Sequence, residues 1–226
     1  MRKMMLAVVI AVSGLGMLLL FGTVVWLQWM PGDAKPLREL EFPMVVPDTE
    51  LLVLLLTEYR GPFLEKPDSG LTVTSAAILV ENGGGMFLSA GAVVLQRGQE
   101  QLVFEVRDLP PGEKVLVLEK DAQSYTGAAG WNCFGWTREE YPEDWGWVKT
   151  EQLSQGLAVT NTSDQWLPTV ELTWKRRSDS AEAFVGGISF QCSLQALSPG
   201  ETRILPLSHY EKDRIQVVKT IVHWED

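Results

Sequence analysis

Thr169-Val-Glu-Leu-Thr-Trp-Lys175 places Val170, Leu172 and Trp174 on one side of an extended chain, and Thr169, Glu171, Thr173 and Lys175 on the other. Successive side chains of a strand point to opposite faces, so this alternation predicts a half-buried antiparallel strand. Gln101-Leu-Val-Phe-Glu-Val-Arg107 repeats the pattern, with Leu102, Phe104 and Val106 opposed to Gln101, Glu105 and Arg107. Further apolar runs fall at 76–81, 86–95, 115–119, 157–161, 188–194, 202–207 and 215–224, after an opening Leu51-Leu-Val-Leu-Leu-Leu-Thr57. Turn residues punctuate them: Asn82-Gly-Gly-Gly85, Pro110-Pro-Gly112, Asn161-Thr-Ser-Asp164 and Ser198-Pro-Gly200. Short strands separated by such turns predict an all-β body. No long amphipathic helix is expected after residue 35.

The same landmarks recur. Val80-Glu-Asn82 leads through two strands to Leu109-Pro-Pro-Gly-Glu113 and Val115-Leu-Val-Leu118, and Val159-Thr-Asn161 leads likewise to Leu197-Ser-Pro-Gly-Glu201 and Ile204-Leu-Pro-Leu207. The Asn-to-Gly spacing is 30 in the first copy (82 to 112) and 39 in the second (161 to 200), which puts nine extra residues around 176–187. Each copy is long enough for one small β-sandwich. The expected division is a first sandwich at 49–120, a Trp-rich acidic connector at 121–150, and a second sandwich at 151–226.

Working outward to the N-terminus, residues 4–30 contain no charged side chain and end at Trp26 and Trp29, before Pro31-Gly32. About 20 apolar residues suffice to cross a bilayer as a helix, and tryptophans favour its interface. A cleaved signal peptide, with Gly32-Asp33-Ala34 as a weak cleavage site, is the alternative, but its apolar core is normally much shorter. Residues 4–30 are therefore expected to be a retained transmembrane signal-anchor helix that contacts the lipid bilayer. Arg2 and Lys3 keep the tip at residues 1–3 cytoplasmic and place the C-terminal body outside the cell membrane. Pro31, Pro36, Pro43 and Pro47 predict an extended stalk over 31–48.

The Asn turn, the alternating strands and the closing Leu-x-Pro-Gly-Glu resemble the small immunoglobulin-like β-sandwich modules of bacterial exported proteins. The whole arrangement, anchor plus two modules, is similar to single-span surface proteins of Gram-positive bacteria. The resemblance covers residues from about 50 to 226 and implies an all-β fold of two antiparallel sandwiches and an envelope location. It carries no catalytic or binding residue with it.

Composition excludes other classes. With 46% hydrophobic and 21% charged residues the chain is neither disordered nor collagen-like. Nineteen Lys and Arg against 29 Asp and Glu give a net charge of −10, which excludes nucleic acid as a partner held through its phosphates. Two cysteines build no disulfide scaffold.

The most unusual window is Trp131-Asn-Cys-Phe-Gly-Trp-Thr-Arg-Glu-Glu-Tyr-Pro-Glu-Asp-Trp-Gly-Trp147. Trp131, Trp136, Tyr141, Trp145 and Trp147, with Glu139 and Glu140, could form a platform for a glycan or peptide, because aromatic faces give rigid contact area and carboxylates orient hydroxyls. The preferred reading is that these rings pack the seam between two small sandwiches, the glycines around them letting the connector bend inward. The alternative glycan- or peptide-cleaving site draws on Glu139, Glu140, Glu143 and Asp144 with His209, but adjacent acids on extended backbone diverge. His209 and His223 show no metal-binding spacing, no nucleophile elbow is present, and nothing calls for a cofactor or metal. Cys192 shares a face with Ile188, Phe190 and Leu194, as a buried hydrophobe would; a Cys133–Cys192 disulfide is the alternative in an oxidising exterior. Asn161-Thr-Ser163 matches a glycosylation acceptor, yet reads first as a turn. The expected function is a membrane-anchored, extracytoplasmic binding or assembly module of the cell envelope, not an enzyme, whose partner is an envelope protein or wall glycan. The alternative is an envelope hydrolase with its site between the sandwiches.

Overall fold

The computed structural model describes residues 40–125, 130–140, 146–180 and 182–224. In chain order the strands are β1 (Met44–Val45), β2 (Leu51–Pro62), β3 (Thr72–Asn82), β4 (Phe87–Arg97), β5 (Glu100–Leu109), β6 (Lys114–Leu118) and β7 (Asn132–Glu140). They are followed by β8 (Val148–Leu153), β9 (Gly156–Asn161), β10 (Leu167–Arg176), β11 (Phe184–Val185), β12 (Phe190–Leu197), β13 (Thr202–Leu205) and β14 (Ile215–His223). The described residues are all-β, built of several small antiparallel sheets, and a 3-10 turn at Pro67–Ser69 is their sole helical element. Residues 4–30, expected to cross the membrane, lie outside the described residues. No described helix is long and apolar enough for that task.

The repeat seen in the sequence organises the sheets. The strand order β2-β3-β6 in one layer and β5-β4-β7 in another is matched by β8-β9-β13 and β12-β10-β14. In the first half, inward residues of both layers meet in one core: Val53 of β2, Ile78 and Val80 of β3, Val93 and Leu95 of β4, Phe104 and Val106 of β5, and Val117 of β6. Leu157, Val159, Leu172, Trp174, Leu194 and Val222 form the corresponding core of the second half. The two alternating stretches that predicted strands, within β5 and β10, supply their expected inward faces to these cores.

Each half is pinned by a buried asparagine. The Asn82 Nδ2 group donates to the carbonyls of Met86 and Leu109, both at 2.9 Å, and its Oδ1 accepts from Gly84 N–H at 3.1 Å. Asn161 Nδ2 donates to Gln165 and Leu197 carbonyls at 2.7 and 3.0 Å, and its Oδ1 accepts from Ser163 N–H at 2.9 Å. The backbone follows suit: Asn82 N–H reaches Glu113 O and Gly112 N–H reaches Asn82 O, just as Asn161 N–H reaches Glu201 O and Gly200 N–H reaches Asn161 O. Gly112 and Gly200 have φ of 71° and 72°, the left-handed turn that glycine adopts without a Cβ clash. One side chain thus satisfies buried carbonyls from a local turn and a distant one, which would otherwise cost roughly 1–3 kcal/mol each. Asn161 is fully buried, so the turn reading holds and the folded protein offers no glycosylation acceptor there.

Residues 121–150 contribute strands to both halves. β7 runs antiparallel along β4, with Val94 opposite Phe134 and Ala92 opposite Trp136, while β8 pairs with β9. The extra residues of the second copy have a structural use. Within them β11 leaves its own half and lies parallel to β6, Phe184 opposite Val115, so that the fully buried Phe184 ring completes the core of the first half. The residues from Leu37 to Asp226 accordingly form one compact unit.

Candidate functional site

The aromatic window does not act as one surface. Trp131 is 3% exposed and belongs to the first core, under the Arg97 guanidinium 4.8 Å from its ring. Trp136, on the opposite side of β7 from Cys133, is 50% exposed. Trp147 packs against the second core and meets Trp224 edge-on at 5.6 Å. Tyr141 and Trp145, with Glu143 and Asp144, lie outside the described residues. Of the sequence-derived platform, therefore, Trp131 is a core residue and Trp136 a surface residue.

The acids and histidines of the hydrolase reading have separate partners. Glu139 is exposed on β7, and Glu140 is ion-paired with Lys219 of β14. His209 sits beyond β13 at a φ of 56°, its Nε2 2.5 Å from Asp68 and its ring 5.5 Å from Phe190, which stacks in turn on Trp174 at 4.4 Å. His223 lies 3.3 Å from Glu171 on the neighbouring strand. Among the described residues no cluster of three His, Cys, Asp or Glu side chains is arranged to hold a metal ion.

Cys133 and Cys192 are free thiols. They stand on different sheets, opposite Leu95 and Leu172 respectively. Burial pushes the Cys133 thiol up to about 12, and burial with the nearby Glu171 charge raises that of Cys192. Both are therefore protonated at neutral pH, and neither has the thiolate character of a nucleophile.

The most unusual polar arrangement was not visible in the sequence. Lys175, at the end of the alternating stretch in β10, is 1% exposed. Its ammonium donates to the carbonyls of Arg107 at 2.9 Å, Ile188 at 2.8 Å and Gly187 at 3.3 Å, with Ser189 Oγ at 3.4 Å. Burial lowers its pKa to about 8, against the opposing pull of the Asp108 and Glu65 carboxylates. Glu65 reaches the same segment from the other side, accepting Gly187 N–H at 2.9 Å and Leu118 N–H at 2.9 Å. Burial raises its pKa, although those N–H donors and Lys175 favour the charged form. Gly187 is required between them, because a Cβ there would overlap the Glu105 carbonyl oxygen. Its own carbonyl accepts Arg107 N–H at 2.9 Å. Arg177 adds an ion pair to Glu113 at 2.6 Å and lies 4.4 Å over the Phe184 ring.

A cavity of about 210 Å³ adjoins this seam, its wall carrying Lys66, Arg107 and Lys120 alongside Glu65, Glu105 and Asp121. The Lys175 amine points into backbone carbonyls, so it holds the crossing segment in place rather than presenting a nucleophile. A second buried carboxylate, Glu119, is used in the same way, accepting N–H groups of Asp121 and Gln123 at 2.8 Å each. The alternation of β10 assigns Lys175 to the face away from Trp174, but periodicity carries no sign that another half of the molecule covers that face.

Comparison with protein-family models, with curated proteins and with solved structures found no match to this chain.

Proposed function

We propose that the chain is a membrane-anchored, extracytoplasmic binding or assembly module of the cell envelope, made of two small immunoglobulin-like sandwiches carried on a stalk and an N-terminal signal-anchor helix. It acts without catalysis, and its partner is an envelope protein or a wall glycan. The observation that carries the reading is the exposure of Trp136, Trp166 and Trp224, at 50%, 48% and 48%. Tryptophan is enriched at recognition surfaces because a large rigid ring gains contact area at little conformational cost. All three lie in or beside regular strands, on a scaffold stiffened by the Lys175 and Glu65 seam. The uncharged stretch at 4–30 supports the anchor, and Arg2 and Lys3 its orientation. The hydrolase alternative gains no support from Glu140 and His209, which are committed to Lys219 and Asp68.

The test is protease treatment of intact cells producing the full-length chain with a C-terminal epitope. Loss of the epitope without lysis, with a photocrosslinker at position 136 giving discrete adducts, is the expected result. An epitope digested only after the cells are opened would overturn the location.

A further inference from the structure

On one edge β2 pairs with β3 as far as Pro62, while on the other β1 covers only Leu52 and Val53. Both backbone groups of a residue in an antiparallel strand point to one side, and successive residues alternate. Phe63 N–H bonds the Leu71 carbonyl at 2.8 Å, so Gly61, Tyr59 and Thr57 face β3. Arg60, Glu58 and Leu56 therefore turn their N–H and C=O groups outward. Among the described residues no backbone hydrogen bond is made to that edge from Leu56 to Pro62, and Thr57, Glu58, Arg60 and Pro62 are exposed. Other edges are closed in part. Gly187 and Lys120 bond the β5 edge at Arg107 and Val103, and Arg203 holds the Gln195 and Ala196 carbonyls of β12. The counterpart of β2 in the second half, β8, is tied at its end to Tyr210 and Ile215.

An open strand edge accepts a further strand, and this one is complementary to itself. We infer that two copies of this chain pair antiparallel along β2, with Tyr59 on the two-fold axis. In that register Glu58 of each copy stands opposite Arg60 of the other. Both residues carry outward groups, so each pair exchanges two N–H···O bonds, and Leu56 N–H meets the Pro62 carbonyl. Within one copy the two side chains already share a face, Arg60 donating to Glu58 at 3.2 Å. Across the axis they make four charges of alternating sign. Opposite charges favour a cross-strand pair and like charges oppose it. Moving the axis to Glu58 or to Arg60 would set like against like, so the charges select the register. The Tyr59 ring leans over its own Gly61, where a Cβ would come within 2.6 Å of the hydroxyl, and so leaves the axis clear. The axis of such a pair runs perpendicular to the sheet. Leu40, packed on the first core, therefore lies on the same side in both copies, as two chains anchored in one membrane require. The contact is isologous and closes at a dimer. The inference goes beyond the reading above; only the common side of the two stalks rests on the anchor.

The test is the mass distribution of the full-length chain in detergent micelles across a concentration series. The native chain should reach a dimer and stop there. Glu58→Arg and Arg60→Glu should each weaken the dimer roughly tenfold or more, since each sets two like pairs across the axis. Melting of the monomer should not change, because the Arg60 and Glu58 side chains are 77% and 46% exposed. An equimolar mixture of the two variants should recover the native affinity, and so should the chain carrying both changes. A native chain that stays monomeric at every concentration would overturn the inference. So would single variants that dimerise as the native chain does, or a mixture no tighter than its components. Protease shaving of intact cells depends on neither side chain, so the location and the self-pairing can fail separately.

Discussion

The asparagine turns of the two halves agree bond for bond, Asn82 with Met86, Leu109 and Gly84, and Asn161 with Gln165, Leu197 and Ser163. The surfaces around them have diverged. The first half needs a ring from the second to complete its core, whereas the second core is filled by its own strands. The turns are fixed by local demand, since a buried carbonyl must find a donor whatever packs outside. The outer faces answer to neighbours, so the same strand position carries Phe134 in one half and Lys219 in the other.

The sharpest way to break this arrangement is at the crossing segment. Gly187→Val would drive a side chain into the Glu105 carbonyl and the Val117 methyl, displacing the segment that Glu65 and Lys175 hold. The expected result is a chemical denaturation curve that changes from one transition to two, as the halves lose their mechanical link. Phe184→Ala should cost roughly 3–5 kcal/mol by leaving a cavity in the first core, and Trp131→Ala a similar amount. A single, unshifted transition in Gly187→Val would show that the halves are not coupled through this segment.

Lys175 sharpens the comparison through pH. Its pKa is lowered to about 8 in the folded chain, so between that value and the ordinary value near 10.5 the unfolded state binds more protons. Stability must then rise with pH across this window, by an amount of order 3 kcal/mol if the shift is fully expressed. Glu65 works in the opposite sense: its raised pKa makes the folded state bind more protons above 4.5, so its contribution falls as pH climbs through the shifted range. Denaturation midpoints from pH 8 to 9.5 should therefore increase in the native protein and stay flat or fall in Lys175→Gln. A native protein that also loses stability there would mean that the ammonium is not held as buried as the geometry places it.

The asparagines give the next effect in size and compare the halves directly. Asn82→Ala and Asn161→Ala each strand two carbonyls and one N–H, and each should lower stability by roughly 2–3 kcal/mol in urea denaturation. Near-equal losses are expected from near-equal bonds. A loss confined to one variant would show that the shared geometry does not carry shared energy.

These residues also mark what could be read in advance. The strands of both cores follow from period-two alternation, and the repeat from Asn and Pro-Gly landmarks, because a half-buried strand and a left-handed turn restrict residue types locally. Two features were not legible. Asn132-Cys-Phe-Gly-Trp-Thr-Arg-Glu-Glu140 reads as a polar aromatic connector, since Cys133, Gly135 and Thr137 give its inner face little apolar contrast, yet it pairs along the length of β4. Lys175 reads as a solvated end of its strand. The alternation gave its direction correctly, but what covers that direction is long-range: Arg107, Gly187 and Ile188 arrive from two other segments. The same limit explains why Trp131 and Trp136 look equivalent in sequence, although only one enters the core.

That last pair supplies the smallest effect on stability. Trp136 is half-exposed on β7, opposite Ala92. Truncation there removes far less buried area than at Trp131, so Trp136→Ala should cost roughly 1–2 kcal/mol, well below the Trp131→Ala loss. Its neighbour Trp131, nearly solvent-free beside Tyr125 at 5.9 Å, sets the contrast within a single strand region. Thermal melts of the two full-length variants at one concentration and in one detergent make the comparison. If Trp136→Ala lowered the melting temperature as far as Trp131→Ala, the outer face of β7 would already be packed within one molecule.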